Sequence, residues 1–245
     1  MLQASNMKSL KIFVTLTLLF FIFSNSSIAA TSEATEYKIK IRKLELCDSS
    51  STQASCNNPV TIYSGNSGDI DIANTTAGAA AASLGNANAA KFGTSYTFIQ
   101  ITMNRAFTVK GSVADGSGNT CYTKAGTAGT ASVNSQGSKN SSDLGSTTLY
   151  AAMPGTSHST ALNSLTSLTD TETAGTVTAA DEFFQYRQVL ANTFTMEPGN
   201  IPSVTVAFGT SAALGATGNM TANCNTANAS IGMYAAEPDV TVTID

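Results

Sequence analysis

Residues 37–46, Tyr-Lys-Ile-Lys-Ile-Arg-Lys-Leu-Glu-Leu, constrain this chain more than any other stretch, because they must form a strand with two unlike faces. Tyr37, Ile39 and Ile41 point to one side and Lys38, Lys40 and Arg42 to the other, the period of two that a half-buried strand requires. Leu44 and Leu46 continue the alternation on the opposite parity. Either a bulge near Arg42 and Lys43 turns the strand, or two strand pieces meet there. Its backbone donors and acceptors need partners, supplied by this chain's own sheet or by a neighbour's.

The residues before this strand carry a targeting signal. Lys8 and Lys11 precede an apolar run over residues 12–23, and Ser27-Ile28-Ala29 places small residues where a signal peptidase requires them. The run is too short to span a bilayer comfortably, so cleavage after Ala29 and export are expected. No later run is long enough for a membrane helix. The expected organisation is a signal peptide over residues 1–29, the amphipathic strand within 30–46, and one β-sandwich domain over 47–245. The expected location is secreted, extracellular or at the cell surface, with a periplasm as a further compartment of the same chemistry.

Charge sharpens the reading of the strand. Without residues 1–29 the chain has 10 Lys and Arg against 16 Asp and Glu, a net charge of −6. Lys38, Lys40, Arg42 and Lys43 against Glu45 give the opening strand +3, and the remainder carries −9. Two readings follow: basic side chains guarding the solvent face of an edge strand, or a basic strand guided into an acidic neighbour. Charged residues make up only 11% of the chain, with Ser, Thr, Ala, Gly and Asn in their place. That surface suits an extracellular β protein and argues against a nucleic-acid partner.

Four cysteines in an exported chain point to disulfides. Three pairings are open. Cys47 and Cys56 bracket a short polar loop, which favours a local bridge and leaves Cys121 with Cys224. Zinc is disfavoured by the lack of a Cys-x-x-Cys motif and by a single histidine, His158.

Further strands are expected at 60–63, 69–72, 96–113, 147–153, 182–196, 204–208 and 240–244. In 96–113 the apolar parity of Ile99, Ile101, Met103, Phe107 and Val109 is broken by Arg105, which marks a bend, reaches solvent or pairs with a carboxylate. Residues 75–90 mix an alanine run with Gly and Asn, and read as short helix or loop. Residues 156–178, rich in Thr and Ser, read as a long surface excursion. Many short strands and no βαβ rhythm predict an all-β fold, an antiparallel β-sandwich or jelly-roll-like domain with long Ser/Thr/Gly/Ala-rich loops.

Catalytic patterns are thin. His158 sits in a polar loop without a nucleophile elbow, and Asp69 and Asp71 read as a solvated strand face. Asp115, Ser117 and Asn119 place oxygen donors at alternating positions, the candidates for a calcium site, although Gly126 stands where an EF-hand needs a glutamate. No cofactor is called for. The expected function is therefore that of a non-enzymatic structural or adhesive surface protein. In this reading it self-associates as a homo-polymer, an extracellular filament joined by β-strand addition, with Tyr37, Ile39, Ile41, Leu44 and Leu46 at the interface. The alternative is a secreted module that binds carbohydrate or another surface ligand, stacking sugars on Tyr63, Tyr96, Tyr122, Tyr150, Tyr186 or Tyr234.

Overall fold

The computed structural model describes residues 30–74, 86–115, 118–130, 132–150, 163–165, 182–199, 202–217, 224–228, 232–236 and 238–244. The expected signal peptide, His158 and most of 156–178 lie outside these residues.

The fold is built around one bent ribbon. The chain runs through β1 (Ala30–Ser32) and β2 (Ala34–Ile39), passes Lys40, and continues as β3 (Ile41–Asp48). After β4 (Val60–Ser64) and β5 (Ile70–Asp71) come β6 (Ser95–Asn104) and β7 (Ala106–Ala114), with Arg105 between them. β2 pairs antiparallel with β7 and β3 with β6, so the two strand pairs form a single ribbon creased at Lys40 and Arg105. At the crease the Asn104 amide donates to the Lys40 carbonyl (3.0 Å), and the Arg105 amide to the Glu182 carbonyl (3.0 Å). Register also shifts between Ile41 and Lys43. Both sequence alternatives therefore occur: a strand break at Lys40 passes the chain from one sheet to the other, and the irregularity at Arg42 accounts for the change of parity from Ile41 to Leu44.

The remaining strands are β8 (Thr120–Thr123), β9 (Gly137–Ser138), β10 (Thr147–Tyr150), β11 (Asn163–Leu165), β12 (Phe183–Thr195), β13 (Val204–Gly209), β14 (Leu214–Thr217), β15 (Gly232–Ala235) and β16 (Asp239–Ile244). One sheet has the order β13-β16-β12-β6-β3-β4, with β11 on β12; the second has β5-β2-β7-β8-β9, with β10 on β7; the third is β1-β14-β15. Nearly all pairs are antiparallel, the exception between named strands being β12 with β16. The protein is an all-β sandwich.

The ribbon's crease is what puts its halves in opposite sheets and its apolar faces toward each other. Tyr37, Ile39, Phe107 and Val109 come from one sheet and Leu44, Leu46, Ile99, Ile101 and Phe184 from the other, all in one buried cluster. Phe107 bridges the layers, with its ring centroid 5.4 Å from Tyr37 and 6.0 Å from Phe184. The third sheet packs close to β7 because position 111 is glycine. A Cβ there would lie 2.9 Å from Leu214 Cδ2 and 3.3 Å from Ala34 Cα, so a larger residue would have to push Leu214 and the β2 backbone away.

Arg105 marks the bend, as one sequence reading has it, but does not reach solvent: it is fully buried. Residues 163–165 interrupt the expected surface excursion by pairing with β12. Of residues 75–90, the described part holds a 3-10 turn at Ala87–Ala89 capped by the Asn86 side chain. β14 and β15, poor in β-branched residues, escaped sequence detection.

Both disulfides have the expected pairing, Cys47–Cys56 and Cys121–Cys224, with Cα atoms 5.1 and 5.6 Å apart. The first closes a span of 9 residues and the second 103. By loop-closure entropy, replacing Cys121 and Cys224 with serine should cost about 5 kcal/mol and replacing Cys47 and Cys56 about 2.5 kcal/mol, measured by urea unfolding of each double variant. Equal losses would show that chain entropy does not set their contributions.

Candidate functional site

The seat of the N-terminal strands holds the five candidate interface residues. β2 lies between β7 and the short β5, so neither of its edges is exposed as a free edge strand would be. β3 lies between β4 and β6. Tyr37, Ile39, Ile41, Leu44 and Leu46 are each no more than 2% exposed. The structure thus brings all five candidate interface residues together, in two different sheets of their own chain. Lys40 divides them, leaving Tyr37 and Ile39 on one side and Ile41, Leu44 and Leu46 on the other.

The edge-guard reading of the basic residues does not hold, because this is not an edge. The bases meet acids and aromatic or amide partners of the same chain instead. Lys38 pairs with Glu36 (2.7 Å), Lys40 with Asp69 (3.4 Å) and Lys43 with Glu45 (2.5 Å). Arg42 Nε donates to Asn104 Oδ1 (2.6 Å), and its guanidinium lies 5.5 Å from the centroid of the Phe183 ring. Asp71, which read as a solvated acid, is part of the seat. Its Oδ1 accepts from the Tyr37 amide (3.1 Å) and the Ala73 amide (3.2 Å), and its Oδ2 from Asn74 Nδ2 (2.5 Å). The Tyr37 hydroxyl donates to the Ala236 carbonyl (3.0 Å), tying β2 to the segment that follows β15.

The opposite face of the large sheet holds a second cluster that sequence reasoning missed. Glu45, Gln100 and Arg187 stand opposite one another on β3, β6 and β12, and Thr102 stands opposite Gln185. All five are at most 2% exposed. Gln100 Nε2 donates to Glu45 Oε2 (2.9 Å), Thr61 Oγ1 to Glu45 Oε1 (3.4 Å), and Gln185 Nε2 to Thr102 Oγ1 (3.4 Å). Arg187 donates to the Gln53 carbonyl (3.4 Å), in the loop closed by Cys47–Cys56. Alternation identifies these residues as the face away from the core; only the tertiary structure shows that this face is shielded. Its side chains act as a lock on register, since a one-residue slip of β3, β6 or β12 would reverse every face.

At the calcium candidate, Asp115 and Asn119 close the turn between β7 and β8. The Asp115 carboxylate accepts from the Asn119 amide (3.1 Å) and from Asn119 Nδ2 (2.7 Å), while Ser117 lies outside the described residues. No group of three His, Cys, Asp or Glu residues placed to hold a metal occurs among the described residues. Of the tyrosines, Tyr96 is fully buried and stacked on Phe194, with its hydroxyl accepting from the Lys91 amide (3.0 Å). Tyr63, Tyr122, Tyr150, Tyr186 and Tyr234 are distributed over β4, β8, β10, β12 and β15 and do not share one strand or one hairpin. Among the described residues no helix is long and apolar enough to cross a membrane.

Three carboxylates are held below their ordinary values by hydrogen-bond donors: Glu36 chiefly by Lys38, Asp48 by Ser50 and Asn58, and Asp143 by Ser138 and Lys124. Their folded pKa values lie below the unfolded ones of 4.5 for Glu and 3.8 for Asp, so the unfolded chain binds more protons in acid. Their contribution is complete above those values and is lost as the pH falls through the folded ones. Unfolding midpoints should fall on acidification below about pH 4, and Asp48→Asn should make that fall shallower. A separate test addresses the register lock. Glu45→Ala strips Lys43 and Gln100 of their acceptor and should cost about 2 kcal/mol in urea unfolding, with Glu45→Gln costing less. Comparison of the chain with protein-family models, curated proteins and solved structures finds no match in any of the three.

Proposed function

We propose that this protein is an exported, non-enzymatic structural or adhesive protein of the cell surface, whose copies join by β-strand addition. The donated segment is β1 with β2, residues 30–39, exchanged into the next copy so that β1 pairs with its β14 and β2 fills the slot between its β7 and β5. The observation that carries this reading is the crossing at Lys40. Residues 30–39 belong wholly to two of the sheets, and β3 belongs to the third, so the first segment can leave as a unit while β3 stays between β4 and β6. A donated strand makes the same bonds it makes at home, and a single-residue hinge favours such an exchange. Passed from copy to copy, the contact is head-to-tail and grows into an open fibre. Two disulfides and a low-charge surface fit an oxidising, extracellular setting.

Glu36 and Lys110 stand directly opposite across β2 and β7, which suits a diagnostic disulfide. The Glu36→Cys/Lys110→Cys chain beginning at Ala30, oxidised at rising concentration, should yield a covalent ladder on non-reducing gels and fibres by negative-stain electron microscopy. Cross-linked monomers alone at every concentration would place the strand permanently at home and overturn strand exchange.

A further inference from the structure

β2 lies inside its sheet, so it can leave or enter only if the strand on one of its sides moves aside. β7 is held in place: it also pairs with β8 and β10, and it continues through Arg105 from β6. β5 is two residues long and ends the sheet. The side that moves is therefore the one β5 closes.

Contacts of the segment around β5 divide at one residue. Ahead of Gly68, the Gly65 amide donates to the Arg42 carbonyl (2.9 Å) and the Ser67 amide to the Ile41 carbonyl (3.1 Å), while the Ser67 hydroxyl accepts from the Ile41 amide (2.9 Å). Beyond Gly68, Asp69 meets Lys40 (3.4 Å), Ile70 and Asp71 stand opposite Ile39 and Lys38, and the Ile72 amide donates to the Tyr37 carbonyl (2.9 Å). Residues 65–67 thus ride on β3, which the proposed exchange leaves in place, and residues 69–72 on Lys40 and the segment that departs. Gly68 sits at the division, beside the crease. Its φ is +71°, and a Cβ built there would meet nothing within 4 Å, so the position combines a glycine's backbone freedom with open space.

We infer that residues 69–72 are the gate of the exchange slot, turning about Gly68 while residues 65–67 hold to β3, and that Asp71 is the positioning residue for the strand that enters. Asp71 Oδ1 accepts the Tyr37 amide (3.1 Å) together with the Ala73 amide of its own segment (3.2 Å). Closing the gate therefore fixes both backbone groups of Tyr37, one through Asp71 and the other through Ile72, and sets the register that places the Tyr37 ring against Phe107. Ile72, buried in the core, is the apolar weight that keeps the gate shut. This assignment rests on the exchange of residues 30–39 proposed above.

Native-state hydrogen exchange on the chain beginning at Ala30 tests the gate without any polymer. The Tyr37 amide points to the gate, and by alternation the Lys38 amide points to β7. Tyr37 and Ile72 should exchange about tenfold faster than Lys38. Equal rates for the three would show that gate and strand leave only together, and would overturn the gate. Asp71 is tested by mixing a Glu36→Cys chain with a Lys110→Cys chain, so that this pair can form a disulfide only between copies. Asp71→Ala in both chains should speed the covalent heterodimer about tenfold and leave its final amount unchanged, because home and exchanged strands lose the same bonds. Replacing Cys47 and Cys56 with serine, which weakens the fold away from the gate, should leave the rate as it was. Equal acceleration by both changes would mean exchange through global unfolding, and no acceleration by Asp71→Ala would mean that it does not hold the gate; either result overturns its role. Heterodimer absent from every mixture, with Tyr37 and Ile72 still exchanging early, would overturn the strand exchange while upholding the opening at Gly68, so the two fail separately.

Discussion

Backbone pairing along the creased ribbon is the constraint on which everything else depends. β2–β3 and β6–β7 each run through both main sheets, and their pairing continues on both sides of the crease at Lys40 and Arg105. The facing layers are therefore held together by continuous chain and ladder hydrogen bonds, beyond the apolar contact between them. The core of Tyr37, Leu44, Ile101, Phe107 and Phe184 fills the angle between the two halves. Opening that angle would expose the cluster, whose burial is the main favourable term in folding.

Around this ribbon, two sets of interactions specify one arrangement out of several that the same apolar pattern would allow. The Glu45, Gln100, Thr102, Gln185 and Arg187 cluster reads the alignment of three adjacent strands through directional bonds, which an apolar face does not do. The long disulfide joins β8 to the segment ahead of β15, and the Gly137 amide bonds the carbonyl of Cys224 beside it (2.9 Å). Two segments 103 residues apart are thus fixed to each other beside the third sheet. Lys38 and Lys40 meet Glu36 and Asp69 at partly exposed positions, where such pairs contribute modestly to stability, whereas Lys43 meets the buried Glu45.

Much of this was legible in residue order. Alternation located β3, β6, β7, β12, β13 and β16, and the slip from Ile41 to Leu44 foretold the irregularity at Arg42. Loop length favoured the correct cysteine pairing. The failures have physical causes. Arg105 was open to three readings because a lone base on an apolar parity does not reveal whether a carbonyl or carboxylate awaits it. Asp71 looked solvated because its partner, the Tyr37 amide, lies 34 residues away. β14 and β15 carry Gly, Ala and Met, residues with weak strand preference, and are held in place by pairing with β1 and by the Ser135 bridge.

By itself the sequence determined the class of the fold, the positions of its long strands and which side of each is apolar, because side-chain alternation is a local property of an extended backbone. Tertiary structure alone decided that β2 and β3 belong to different sheets, that the polar side of β3, β6 and β12 is shielded, and that β13 stands at the end of its sheet next to β16. Those outcomes depend on which strands become neighbours. Neighbours are selected by burying many apolar faces at once, across separations that no local pattern encodes.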